Sequence, residues 1–138
     1  MRLGIKVASN PTDIERLLKT GSRCCEIRFI LEQDEQFKPI LRYIKQNSIQ
    51  PNFHFWAAFD NKILANPAAP GELGRQSVQA IRDTIKIAAE NKAGYVVLHP
   101  GTTMVNQIDH QKQCILPLKT IAEQDEACLL YTSPSPRD

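Results

Sequence analysis

Residues 24–30 read CCEIRFI, and their alternation decides the fold. In a strand, successive side chains point to opposite faces. Cys25, Ile27 and Phe29 therefore share one face, and Cys24, Glu26 and Arg28 the other. The same split recurs in three more runs. In LGIKVA (3–8), Leu3, Ile5 and Val7 oppose Gly4 and Lys6. In NFHFWAAF (52–59), Phe53 and Phe55 oppose His54 and Trp56. In YVVLH (95–99), Val96 and Leu98 oppose Val97 and His99. One face is uniformly apolar. The other gathers Lys6, Glu26, Arg28, His54 and His99, mostly toward the carboxyl ends of the strands.

Helical patterns separate these runs. Asn10 can cap a first helix, Pro11 suits its first position, Asp13 its first turn and Gly21 its stop. Ile14, Leu17 and Leu18 fall on its apolar face. The spacing of Phe37, Ile40, Leu41 and Ile44 predicts a second helix over Glu35–Asn47, with Pro39 near its start. Asp60 to about Gly71 reads as a loop above the strand ends, placed to serve as a lid. Val78, Ile81, Ile85 and Ala88 mark a third helix over Glu72–Lys92, with Gly94 as its stop. A further helix begins near Gln111–Glu123, where Pro117 kinks or delays it.

Regular β/α alternation specifies a parallel sheet with right-handed crossovers and strands side by side in order. A doubly wound sheet covered by helices on both faces would need apolar residues on both. A barrel accommodates the split, because its interior turns polar at the mouth, where active sites lie. A (β/α)8 barrel takes about 250 residues. The expected fold is thus α/β: a partial (β/α)8 TIM barrel comprising about the first four β/α units, parallel strands with outer helices.

Composition agrees with one domain. The chain has 138 residues, 42% hydrophobic and 23% charged, with a net charge of +2. That balance gives no support to nucleic-acid or membrane binding. Cys24, Cys25, Cys114 and Cys128 have no paired spacing, which points to reduced thiols and a cytoplasmic setting. Pro11 and Asp13 interrupt any signal-peptide pattern, and no run reaches the length of a membrane span. The end, CLLYTSPSPRD (128–138), matches in one frame the translation of a common transposase sequencing adapter. Residues 1–127 are therefore expected to form the amino-terminal half of the barrel, and 128–138 a disordered adapter read-through.

The chemistry-bearing residues sit on the polar face. His54 and His99 end consecutive strands about 4.8 Å apart, so both imidazoles can reach one ion or substrate. Imidazole nitrogen suits metals such as zinc and manganese. Pro100 biases His99 toward an extended backbone, and Gly101 allows a sharp exit. The structural alternative for His54 is a core histidine among Phe53, Phe55 and Trp56. Glu26 can move a proton or bind a ligand; its structural alternative is an ion pair with Lys6 or Arg28. Trp56 can pack or face a sugar. Arg75, at the head of the third helix, reads as solvent-facing. No GxGxxG, GxxxxGK or GxSxG motif occurs, and no basic-aromatic stripe marks RNA binding.

Three stretches carry a resemblance: GIKVASNPTDIERLLKTGSRCCEIRF, His54 ending the third strand, and RQSVQAIRDTIKIAAENKAGYVVLHPG. They resemble the xylose isomerase-like TIM barrel superfamily, which holds sugar-phosphate isomerases and epimerases and the endonuclease IV type of abasic-site (AP) endonuclease, AP endonuclease family 2. The most specific signature is the arginine-led helix followed by a strand closing in His-Pro-Gly. The resemblance implies a divalent metal ion (manganese, magnesium, cobalt or zinc) at the barrel mouth. In endonuclease IV-type members, histidines at the positions of His54 and His99 bind zinc. In epimerase-type members they line the sugar pocket, and later strands supply most metal ligands, including a glutamate on the fifth.

Two departures count against the nuclease. Its first strand is usually followed by a Gly-x-His-like stretch, where this chain has GIKVAS. A small-Pro-Tyr run usually follows the third-strand histidine, where this chain has HFWAAF. The expected parent is thus a metal-dependent sugar or sugar-phosphate isomerase or epimerase, transferring a proton next to a carbonyl through an enediolate. Its partner would be a small sugar or sugar phosphate, with no membrane, and an oligomer stays open. Glu26 is the expected catalytic residue; His54, Trp56 and His99 contact substrate; His54 and His99 double as metal ligands. The alternatives are a zinc-dependent AP endonuclease acting on DNA and a non-catalytic ligand-binding barrel. The fragment alone is expected to be inactive.

Overall fold

The computed structural model describes residues 4–59, 63–99 and 129–131. Its strands are β1 (Ile5–Val7), β2 (Cys24–Ile30), β3 (Gln50–Trp56), β4 (Ala58–Phe59), β5 (Ile63–Leu64), β6 (Val96–Leu98) and β7 (Leu129–Tyr131). Its α-helices are α1 (Pro11–Thr20), α2 (Asp34–Gln46) and α3 (Gly71–Glu90). One sheet has the order β1-β2-β3-β6-β7, every neighbour parallel, and β4 and β5 form a separate antiparallel pair. Parallel strands taken outward in chain order, with helices between them, are what successive β/α units of a barrel produce.

The apolar face of the strands is the core. Ile27, Phe29, Phe37, Phe53 and Ile81 are completely excluded from solvent. Phe29 of β2 stands between Phe37 of α2 and Phe53 of β3, with ring centroids 4.9 and 5.2 Å away. Both pairs are tilted, the arrangement favoured by the ring quadrupoles. The opposite face stays open around Glu26, Arg28, His54 and Trp56.

The caps of α1 follow local chemistry. The Asn10 side chain accepts from the Thr12 N–H at 3.0 Å, and Gly21 ends the helix with φ 58°. Buried Asp13 accepts from the Ala8 N–H at 2.7 Å and from Arg16 at 2.8 Å, tying the exit of β1 to its helix. One expectation for this helix fails: Leu17 is buried, but Leu18 is 61% exposed. The two lie on opposite flanks of Ile14, and the inward face is centred on Asp13 and Leu17.

Helix α3 also ends earlier than its pattern predicts. Asn91 donates a side-chain bond back to the Ile87 carbonyl at 2.8 Å, and Lys92 turns the chain with φ 55°. Gly94 is not the stop. A Cβ there would stand 2.7 Å from the Asn52 side-chain oxygen, so its role is close approach to β3. The third strand is shorter than NFHFWAAF suggests. After Trp56, the Ala57 carbonyl accepts from the Ala65 N–H at 3.0 Å, and the chain turns into the β4–β5 pair.

Part of the tail expected to be disordered forms a strand instead. Leu129, Leu130 and Tyr131 of β7 pair with Val96, Val97 and Leu98. An open strand edge presents unpaired N–H and C=O groups, and an apolar triplet with strand propensity satisfies them. This pairing does not depend on where the triplet came from. The helix expected near 111–123, Pro100 and Gly101 lie outside the described residues.

Cys24 and Cys25 are free. Burial, and then the neighbouring Cys24, push the Cys25 thiol up to about 12, so it stays protonated and inert. Among the described residues no helix is long and apolar enough to cross a membrane.

Thr84 is fully buried on α3, and its hydroxyl has no hydrogen-bond partner among the described residues. An unsatisfied buried hydroxyl costs about 1–3 kcal/mol. Thr84→Val keeps the shape and removes the polar atom. It should raise the thermal midpoint by a few degrees, about 1 kcal/mol, in a circular-dichroism melt. A lower midpoint would mean that the hydroxyl is bonded.

Candidate active site

The polar face resolves into one continuous row, with one residue from each neighbouring strand. Lys6 on β1 lies beside Glu26 on β2, its register partner. Glu26 pairs in register with Asn52, and His54 is two residues further along β3. His54 pairs with Val97, and His99 is two residues further again, just past β6. The row therefore climbs obliquely across the sheet, as expected for strands tilted around a barrel axis.

The contacts are short. Glu26 Oε1 is 2.8 Å from His54 Nδ1 and 3.2 Å from the Lys6 ammonium. His54 Nε2 is 2.8 Å from His99 Nε2, and Lys6 Nζ is 3.0 Å from His54 Nδ1. Burial raises the Glu26 carboxyl, but hydrogen bonds from His54 and Lys6 and their nearby charge outweigh it, and its pKa falls below the usual value. An ionised carboxylate only accepts, so the shortest contact assigns the Nδ1 proton of His54 to Glu26. Lys6 then serves Glu26, since two donors cannot bond to each other. His54 Nε2 is left as an acceptor, and His99 Nε2–H donates to it.

His99 is open to solvent over much of its surface, yet its ring lies against His54, with centroids 4.9 Å apart. That desolvation, followed by the charges of His54 and Lys6, lowers its pKa below 6.5. His99 is therefore neutral near pH 7 and can take a proton at Nδ1. The Nε2 proton can pass to His54, whose imidazolium the Glu26 carboxylate would stabilise. Carboxylate, imidazole and imidazole form a relay suited to general acid–base work.

These couplings fix a pH dependence. Glu26 has a folded pKa below its usual value of 4.5, so its stabilisation is present above about that pH and is lost as pH falls through the folded value. His99 binds its proton more weakly when folded, so stability also declines as pH drops below 6.5. Urea midpoints should fall in two limbs on acidification. His99→Gln should flatten the upper limb and Glu26→Gln the lower. A curve unchanged in both variants would disprove the coupling.

The other expected residues are placed as follows. The ion pair expected of Glu26 forms with Lys6, not Arg28, and the same carboxylate also bonds His54. Trp56 lies on the same face, with the Arg28 guanidinium carbon 5.1 Å from its ring centroid. Arg75 faces solvent and pairs with Glu72. Sequence reasoning did not single out Asn52, which is buried beneath the row and donates to the Cys25 carbonyl at 3.2 Å. Its close approach to Gly94 is legible only once the strands are paired. A cleft of about 670 Å³ is lined by Arg23, Lys45, Gln50 and Glu90 at the opposite end of the strands. It takes no part in the row.

Two convergent imidazoles are fewer than the three protein ligands of a catalytic zinc site. Among the described residues no group of three histidine, cysteine or acidic side chains is arranged to hold a metal. The described residues do not form a metal site by themselves.

The fold is that of a partial TIM barrel, and the chain spans about half the length of the solved structures it matches. No protein-family model matches the chain, and no curated protein does. Solved structures do. A D-tagatose 3-epimerase-like protein aligns with TM-score 0.68 at 20% identity, over 98% of this chain and 55% of that one. An L-ribulose 3-epimerase aligns with TM-score 0.66 at 14% identity, over 96% and 48%. Endonuclease IV from Thermus thermophilus aligns with TM-score 0.60 at 19% identity, over 95% and 51%. At these identities the likeness is one of fold.

Proposed function

We propose that this chain is the amino-terminal half of a cytoplasmic sugar or sugar-phosphate isomerase or epimerase, inactive by itself. The observation that carries this reading is the Glu26–His54–His99 relay, which climbs from within β2 to His99 just past the carboxyl end of β6, the end at which barrel enzymes hold their substrates. Moving a proton next to a carbonyl requires a base of near-neutral pKa that can give the proton back. A relay ending in a neutral imidazole meets that need. His54, His99 and Trp56 face the substrate, and Glu26 orients and charges the relay. The two epimerase structures support the sugar class.

A divalent metal ion belongs to this reading, with His54 and His99 as two of its ligands and the remainder from later strands.

A second reading, a zinc-dependent AP endonuclease, draws on the endonuclease IV likeness and the same two histidines. Lys6, held by Glu26 where that class carries a histidine, weighs against it. The test begins with the source DNA, sequenced across codon 127 to recover any continuation. The extended protein should epimerise or isomerise a ketose or its phosphate in a metal-dependent way, and the 138-residue chain should not. Cleavage of an abasic duplex without sugar turnover would replace this reading with the second. Ligand binding without either activity would favour a non-catalytic barrel.

A further inference from the structure

The relay leaves one strongly charged group on the mouth face unexplained. Arg28 lies two residues beyond Glu26 on β2, and Trp56 two residues beyond His54 on β3. The step from Arg28 to Trp56 repeats, one pleat higher, the oblique step from Glu26 to His54. Arg28 is exposed, and among the described residues it enters no salt bridge. The acids nearest along β2 and its exit are engaged elsewhere. Glu26 holds Lys6 and His54, and Glu32 accepts from the Ala58 N–H at 3.1 Å.

From this placement we propose that Arg28, stacked on Trp56, forms an anion subsite that selects a phosphorylated sugar over a free one. The selection of a sugar rests on the function proposed above; the anion rests on the pair itself. An arginine lying over an aromatic ring keeps its charge and its planar fork of N–H donors while losing little further freedom on binding. That fork matches two oxygens of a phosphate. The register partner of Arg28 is His54, so a phosphate held there stands one strand from the relay. A neutral sugar has no charge to offer this group.

Trp56 is the only tryptophan of the chain, so its fluorescence reads the subsite directly. The 138-residue protein would be titrated at constant ionic strength with inorganic phosphate, a pentulose 5-phosphate, the free pentulose and a uronate. Phosphate and pentulose phosphate should give saturable changes. The pentulose phosphate should bind at least about tenfold more tightly than the free sugar, the scale of one charge-assisted hydrogen bond. Arg28→Gln should weaken both phosphate ligands by a similar factor, and Arg28→Lys should recover part of the loss.

Free pentulose binding as tightly as its phosphate, or Arg28→Gln binding phosphate unchanged, would overturn the proposal. Tighter binding of the uronate than of the phosphate sugar would overturn the phosphate assignment. An Arg28-dependent response to phosphate, with the pentulose 5-phosphate binding no more tightly than inorganic phosphate, would uphold the subsite while withdrawing support from the sugar reading. Free-sugar binding indifferent to Arg28→Gln, with no phosphate response, would do the reverse.

Discussion

Phe29→Ala should destabilise the chain by about 3–5 kcal/mol, the range for removing a fully buried phenyl ring. Phe29 is wholly excluded from solvent and joins strand to helix and strand to strand through Phe37 and Phe53. Alanine would leave a ring-sized void at the meeting point of β2, β3 and α2. Natural domains hold only about 5–15 kcal/mol in total, so this one change should consume much of the margin. Urea unfolding measures it directly. A midpoint within experimental scatter of the parent would show that the three rings do not pack as a unit. Phe29→Leu refills part of the void and should recover part of the loss.

The second large effect concerns chemistry. On the proposed function, His54→Ala in the extended protein should lower kcat about 10²–10⁴-fold, the usual contribution of a positioned acid–base group. His54 bonds both its neighbours, so its loss breaks the relay at the middle and leaves Glu26 with Lys6 alone. Glu26→Gln should cost less, because an amide oxygen can still accept from Nδ1. The kcat profile of that variant should also shift with pH. Equal losses in kcat for both variants, with unshifted profiles, would reduce Glu26 to a packing group. A rise in KM alone for His54→Ala would make that histidine a binding residue only.

Much of this fold was visible in the chain because strand alternation is local. Cys25, Ile27 and Phe29 face the core and Glu26 and Arg28 do not, as period two requires. Asn10, Pro11 and Gly21 mark α1 because capping depends on residues within one turn. What stayed hidden depends on pairing between distant segments. Glu26 meets His54 rather than its register partner Asn52 because the sheet is oblique, and no spacing in the sequence encodes that angle. The same holds for Gly94, whose lack of a side chain is explained by Asn52 and not by a helix stop. Leu18 matched an apolar pattern but lies at the margin of the buried arc, where a few tens of degrees decide exposure.

The short strand at Leu129–Tyr131 has a practical meaning for recombining barrels. It joins β6 through main-chain bonds in a parallel register that begins at Val96 and Leu129. Main-chain bonds do not read side-chain identity. The seam at β6 is therefore a splice point. A donor half-barrel whose first strand is apolar and parallel has the groups it needs to seat there, and its own mouth residues would then stand beside His54 and His99.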